Sequence, residues 1–195
     1  MTNDLISFMR VVHIISAILM AWPYYALVVV NQRVKLGPPL GDRADTYMEN
    51  IIKNRALPCF VFQMTVFISG LALIFLRGQN LGLFVTSPAL GIKFILLFLM
   101  GVLLSYVRAN IQPRIDTLFA EAENPIADDR ASQIGALRGR RKQLASLCMF
   151  LAFTSAMFGM QVWVAFPVWL SAILVVAIGL FTWRTNQSET PYGWV

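Results

Sequence analysis

Five stretches of this chain, roughly 8–30, 57–76, 84–106, 144–163 and 167–183, approach the ~20 predominantly apolar residues that a helix needs to cross a hydrocarbon layer. Composition points the same way, since 57% of the 195 residues are hydrophobic and 13% are charged. A soluble domain of this size has too little interior to hide that much apolar surface from water. The expectation is an all-α integral membrane protein, a single domain over 1–195 built as a bundle of five transmembrane helices. The last two stretches are separated by a short break, where Trp163 and Trp169 flank Pro167. Tryptophan favours the headgroup level and proline ends helices, so the break reads as a tight hairpin at the water interface. One long tilted helix there would leave four spans.

Charge predicts the orientation. With five spans, one side receives Arg33, Lys35, Arg43, Lys53 and Arg55 of the first loop, the seven basic residues between Arg108 and Lys142, and Arg184 of the tail. The other side receives Arg10 and Arg77. Basic loops stay in the cytoplasm, which places the N-terminus outside and the C-terminus in the cytoplasm of a multi-pass protein of the bacterial inner membrane. The net charge of +6 then reflects topology and not a nucleic-acid partner. The cluster Arg138-Gly-Arg-Arg-Lys142 immediately precedes the fourth span, where basic side chains are expected to meet anionic headgroups. The first span begins with Asp4 and not with a basic segment, and no small-residue cleavage site follows it, so it reads as a retained span and not a signal peptide. Cys59 and Cys148 fall near cytoplasmic ends of spans and are expected to be buried and reduced.

The cytoplasmic loops cover 31–56 and 107–143. In the first, Leu36-Gly-Pro-Pro-Leu40 breaks helix and Arg43 to Ile52 alternates charge, which suits a short interfacial helix. In the second, Arg108 to Ala122 continues as helix until Glu123-Asn-Pro125 stops it, and Asp128-Asp-Arg130 opens the helix that feeds the fourth span. The tail Pro191-Tyr-Gly-Trp-Val195 is too short to fold alone and is left to the membrane surface or to a partner subunit.

Two ionisable residues interrupt the apolar runs: His13, the sole histidine, and Lys93. The first and third spans run in the same direction, so the two residues can share a depth some ~8–10 Å below the outer boundary, at 1.5 Å of rise per residue. No span contains a carboxylate, so Lys93 either snorkels outward or faces an anionic group from outside the chain, such as a tetrapyrrole propionate, a quinone oxygen or a lipid phosphate. His13 either hydrogen-bonds a hydroxyl such as that of Ser16 or a helix backbone, or ligates a metal with Met9, Met157 and Met160, a soft set suited to haem iron or Cu(I). Further along the first span, Trp22-Pro23-Tyr24-Tyr25 reads as a proline kink whose aromatics need polar partners. Gln63 on the second span is one candidate partner. Trp22, Tyr25 and Gln63 are either kink packing or the wall of a cofactor site.

The segments Val11-Val-His13-Ile-Ile-Ser-Ala17 and Ala89-Leu-Gly-Ile-Lys93-Phe-Ile-Leu-Leu97 resemble the helical-bundle superfamily of copper-resistance D membrane proteins and haem-dependent bacterial protoporphyrinogen oxidases. The resemblance covers approximately the first 110 residues. It implies a role in haem b binding for His13 and a functional role for Lys93. The chain has Met20 where those oxidases usually carry tryptophan, and it lacks their Leu-Pro-Arg segment, so the resemblance carries these two roles and not the oxidase reaction. Three functions follow as expectations: binding of a haem-like or other redox cofactor at His13 and Lys93, a non-catalytic accessory role in a larger membrane complex or homo-oligomer, and copper transport.

Overall fold

The computed structural model describes residues 2–30, 40–53, 56–121, 126–162, 164 and 166–187, with backbone alone at 2, 22–30 and 44. Every regular element among them is helical: α1 (Thr2–Val30), α2 (Arg43–Lys53), α3 (Ala56–Leu76), α4 (Leu83–Thr86), α5 (Pro88–Tyr106), α6 (Gln112–Ala120), α7 (Asp128–Gln161) and α8 (Val168–Gln187). A π-helical turn, Val107–Ile111, joins α5 to α6. Five helices are long and apolar enough to cross a membrane: α1, α3, α5 with its extension, α7 and α8.

Element boundaries follow local chemistry. α1 starts at Thr2, ahead of the apolar stretch, with Asp4 in its first turn, where a carboxylate complements the positive end of the helix dipole. The third apolar stretch is broken at Ser87, whose extended backbone (φ −109°, ψ 100°) is what a following proline imposes. The single turn α4 folds back on α5, and a Cβ at Gly91 would lie 2.5 Å from the Phe84 carbonyl oxygen, so the close approach requires glycine. The π turn precedes Pro113, whose missing N–H and bulky ring disrupt the regular α ladder one turn back.

α7 is the organising helix. Its 34 residues rise about 50 Å, more than the ~30 Å of a hydrocarbon layer. It packs against α1, α5, α6 and α8, while α1 packs most extensively on α3. Met20, Val66, Leu97, Met100, Met149 and Ala152 meet in the core. The outer faces stay apolar: on α8, Trp169, Ile173, Val176, Leu180 and Trp183 are all exposed, a continuous stripe at helical spacing. α7 ends at Gln161 and α8 begins at Val168, so a break between helices falls where the sequence places it; Trp163 lies outside the described residues, and Trp169 is exposed. Cys59 and Cys148 are buried free thiols.

The basic cluster of α7 does not sit where the sequence reading puts it. Arg138 and Arg141 are each 3% exposed and Lys142 5%, so they turn inward and not toward headgroups. α2 presents Asp45 and Glu49 on one face, four residues apart, and α7 presents Arg138 and Arg141 three apart, so the two pairs come into register. The Arg138 guanidinium donates to both Asp45 oxygens at 2.7 and 3.0 Å and stacks 4.9 Å over the Phe119 ring. Arg141 donates to both Glu49 oxygens at 2.5 and 2.9 Å and to Gln112 Oε1 at 2.8 Å. Arg140 is the exposed arginine of the cluster, over the Tyr106 ring at 5.6 Å. α2 thus docks by its acidic face, where an interfacial helix would use an apolar one. Its start is held by Asp42 Oδ1, which accepts from the Asp45 N–H at 2.6 Å.

Candidate functional site

His13 on α1 and Lys93 on α5 meet. Lys93 Nζ lies 2.9 Å from His13 Nε2, and His13 Nδ1 lies 2.9 Å from Ser69 Oγ on α3. Both side chains are half-buried. Lys93 is five residues into α5, about 7.5 Å along the axis, and Ser69 is seven residues before the end of α3, about 10 Å, so the cluster sits near one end of the bundle. The hydroxyl that serves His13 is on a neighbouring helix; Ser16, one turn along α1 from His13, is buried but is not its partner.

The order of protons along this chain follows from donor chemistry. Ser69 Oγ donates to the Thr65 carbonyl at 2.5 Å, so towards His13 it accepts. His13 Nδ1 therefore carries the hydrogen, and Nε2 keeps the lone pair that receives a Lys93 N–H. An ammonium has three N–H donors, of which His13 takes one. No carboxylate among the described residues pairs with Lys93. The chain ends on a backbone carbonyl, which cannot pass a proton on, so the cluster can hold and exchange protons at its lysine end but is no wire through the bundle.

Two glycines make the space. A Cβ on Gly70 of α3 would lie 3.2 Å from His13 Cε1, and one on Gly159 of α7 would lie 3.2 Å from Lys93 Nζ and 3.6 Å from its Cε. Four long helices thus contribute to one node: α1 the imidazole, α3 the hydroxyl and a seat for the ring, α5 the amine, and α7 a seat for its stem. Small residues let helices approach closely, which is how a long lysine from α5 reaches the α1 histidine.

The remaining expected site residues disperse. With Gly159 facing Lys93, Met160 and Met157 project about 100° and 200° away around α7. Met160 is accordingly 54% exposed and Met157 is buried. Met9, one turn before His13 and half-buried, shares the histidine's side of α1. Gln63 is buried against α5, its Nε2 donating to the Leu97 carbonyl at 2.6 Å, more than a turn along α3 from Ser69. It ties α3 to α5, and its Oε1 has no hydrogen-bond partner among the described residues. The side chains of Trp22 and Tyr25 lie outside the described residues.

Sequence reasoning missed Ser69, Gly70 and Gly159. The signal was there in small residues within apolar runs, Ser69-Gly70 and the glycine of Met157-Phe-Gly-Met160, where the methionines drew the attention instead. In this arrangement the Nε2 lone pair of His13, the one a metal ion would need, accepts from Lys93, and the other Lys93 N–H donors have no partner among the described residues and can meet a ligand oxygen. Compared with known proteins, the chain matches no family model, no curated protein and no solved structure.

Proposed function

We propose that this is a multi-pass protein of the bacterial inner membrane, N-terminus outside, that binds an amphiphilic redox cofactor at the outer-leaflet node of His13, Lys93 and Ser69. The observation that carries this reading is Lys93: an amine at the depth of an apolar bundle, without a carboxylate partner among the described residues, whose one protein hydrogen bond is to a neutral imidazole nitrogen. Such a group is costly in hydrocarbon and marks a ligand or proton site by default. Its remaining N–H donors suit a carbonyl or carboxylate oxygen, as on a quinone or on the propionate of a haem-like tetrapyrrole. Lys93 orients that oxygen and supplies its proton. His13 positions the amine through its Nε2 lone pair, and Ser69 accepts from Nδ1 and so favours that tautomer.

The test is purification in mild detergent, followed by visible spectra of the oxidised and reduced protein and solvent extraction for quinone and tetrapyrrole. A bound chromophore in the wild type that is lost in Lys93→Met and in His13→Ala is expected. A colourless protein without extractable cofactor sinks the proposal. The second reading, an accessory subunit, draws on the apolar outer face of α8. It is favoured if that colourless protein co-purifies in fixed stoichiometry with other membrane subunits.

A further inference from the structure

At the other end of the bundle from the His13 node, a cleft of about 590 Å³ opens where α3 begins, α5 ends and α7 runs past. That volume is within the range of small-molecule sites. Its walls divide by chemistry. Leu57, Leu104, Leu144 and Cys148 form one end, on the apolar parts of their helices; Lys53, Arg108, Gln112 and Asp116 form the other, on the polar extension. An amphiphile has this same division.

The charges at the rim are unequally engaged. Lys53 pairs with Asp116 at 2.9 Å, and Arg141, which also lines the cleft, is tied to Glu49. Arg108 is exposed and forms no ion pair or hydrogen bond among the described residues. It sits on the π turn, the one departure from α geometry in this long helix, and such turns are frequent at functional sites. A guanidinium is a fork of N–H donors shaped for phosphate. With Lys53 paired to Asp116 and Arg141 to Glu49, Arg108 is the rim cation left without an acidic partner among the described residues. In the proposed orientation this rim faces the cytoplasmic leaflet, where anionic lipids concentrate and basic pockets between helices take their headgroups.

We infer that the cleft is a binding site for an anionic phospholipid, its phosphate on Arg108 and the start of an acyl chain against Leu57, Leu104 and Leu144. The site shares with the proposed function only the orientation of the chain. It engages Arg108, an exposed side chain that the fold does not use, and so predicts a loss of lipid without a loss of structure.

The experiment is native mass spectrometry of the full chain, released from nanodiscs of phosphatidylglycerol or of phosphatidylcholine. The wild type is expected to retain one phosphatidylglycerol in preference to phosphatidylcholine, and Arg108→Gln to retain it about fivefold less well, the effect of one interfacial cation. Arg140→Gln removes another exposed arginine, outside the cleft, and is expected to change nothing. His13→Ala is expected to keep the lipid, which separates failure here from failure at the cofactor site. Circular dichroism checks that each variant is folded. Equal retention by Arg108→Gln and wild type, or no preference between the two lipids, overturns the inference. So does an equal loss in Arg140→Gln, which would mean general surface charge. Displacement of the lipid by millimolar inorganic phosphate alone would make the site one for a small soluble phosphate, which also overturns it.

Discussion

Lys93 Nζ donates to His13 Nε2 across 2.9 Å, joining two residues 80 positions apart in the chain, with no carboxylate among the described residues on the lysine. An amine hydrogen-bonded to a neutral imidazole has no counter-charge from its partner, a poor arrangement for stability and a suitable one for receiving a ligand oxygen.

The tautomer is the first consequence to check. The chain has one histidine, so ¹⁵N-histidine labelling gives one pair of ring nitrogens. We expect Nδ1 protonated and Nε2 not, because Ser69 donates to Thr65 and must accept from the ring. In Ser69→Ala the Lys93 contact still calls for the lone pair on Nε2, so the tautomer is expected to persist, and the two are expected to mix when Lys93→Met is added. A wild-type protein with its hydrogen on Nε2 refutes the order of donors.

Replacing Lys93 by methionine removes a hydrogen bond worth about 1 kcal/mol and relieves a lysine that costs roughly 2.5 kcal/mol or more near a bilayer centre, less towards its surface. The expected result is a thermal midpoint in detergent that is unchanged or higher, together with loss of the bound cofactor. A midpoint lower by several degrees would assign Lys93 to holding the bundle together.

Gly159 bears on the same contact from α7. Alanine there puts a Cβ 3.2 Å from Lys93 Nζ, a few tenths of an ångström too close, and leucine puts a whole side chain where the lysine stem lies. Gly159→Ala is expected to shift the His13 Nε2 resonance slightly, and Gly159→Leu to move it to the value found in Lys93→Met. Identical spectra in all three proteins would mean that α7 does not seat the lysine.

The buried Arg138–Asp45 pair separates breaking an interaction from replacing it. Arg138→Met takes the bidentate arginine from Asp45, 1% exposed, and is expected to cost about 3–5 kcal/mol. The double variant with Asp45→Leu removes both charges and is expected to recover most of that loss. Additive losses in denaturation of the four proteins of this cycle would argue against a coupled pair.

Acid sensitivity has a defined source in Glu49. Burial alone would push its carboxyl up, but the hydrogen bonds and charge of Arg141, with Gln112 and Arg138 adding to them, hold it down at about 2 from an ordinary 4.5. A depressed carboxyl contributes its stability above the unfolded value and loses it as the pH falls through the folded one. The contribution, on the order of 3 kcal/mol at neutral pH, is therefore expected to fade between pH 4.5 and about 2. Melting curves across that window should fall more steeply for the wild type than for Glu49→Gln. Parallel curves would place the acid-labile contact elsewhere.

Much of the fold was legible because hydrocarbon-length apolar runs admit few alternatives. Helix ends were legible where a residue dictates the backbone: Pro88 forces Ser87 out of the helix, and Asp128 and Asp129 open α7. The charge pattern was misread at Arg138 to Lys142. Sequence shows that arginines flank a span, but not that Asp45 and Glu49, some ninety positions earlier, will lie on the facing side of another helix. The placement of the methionines was not legible for a related reason. Their spacing on α7 is visible, but the face that α7 turns to Lys93 depends on the rotation of the helix in the bundle.

The sequence by itself determined the five long apolar helices, their breaks, and the two ionisable residues embedded in them, since each follows from local composition and backbone chemistry. Tertiary structure alone decided that His13 is served by Ser69 and Lys93, that Gly70 and Gly159 seat them, and that Arg138 and Arg141 of α7 close on Asp45 and Glu49 of α2. These depend on helix rotation and on contacts between residues tens of positions apart, which packing of small against large side chains selects and no local pattern records.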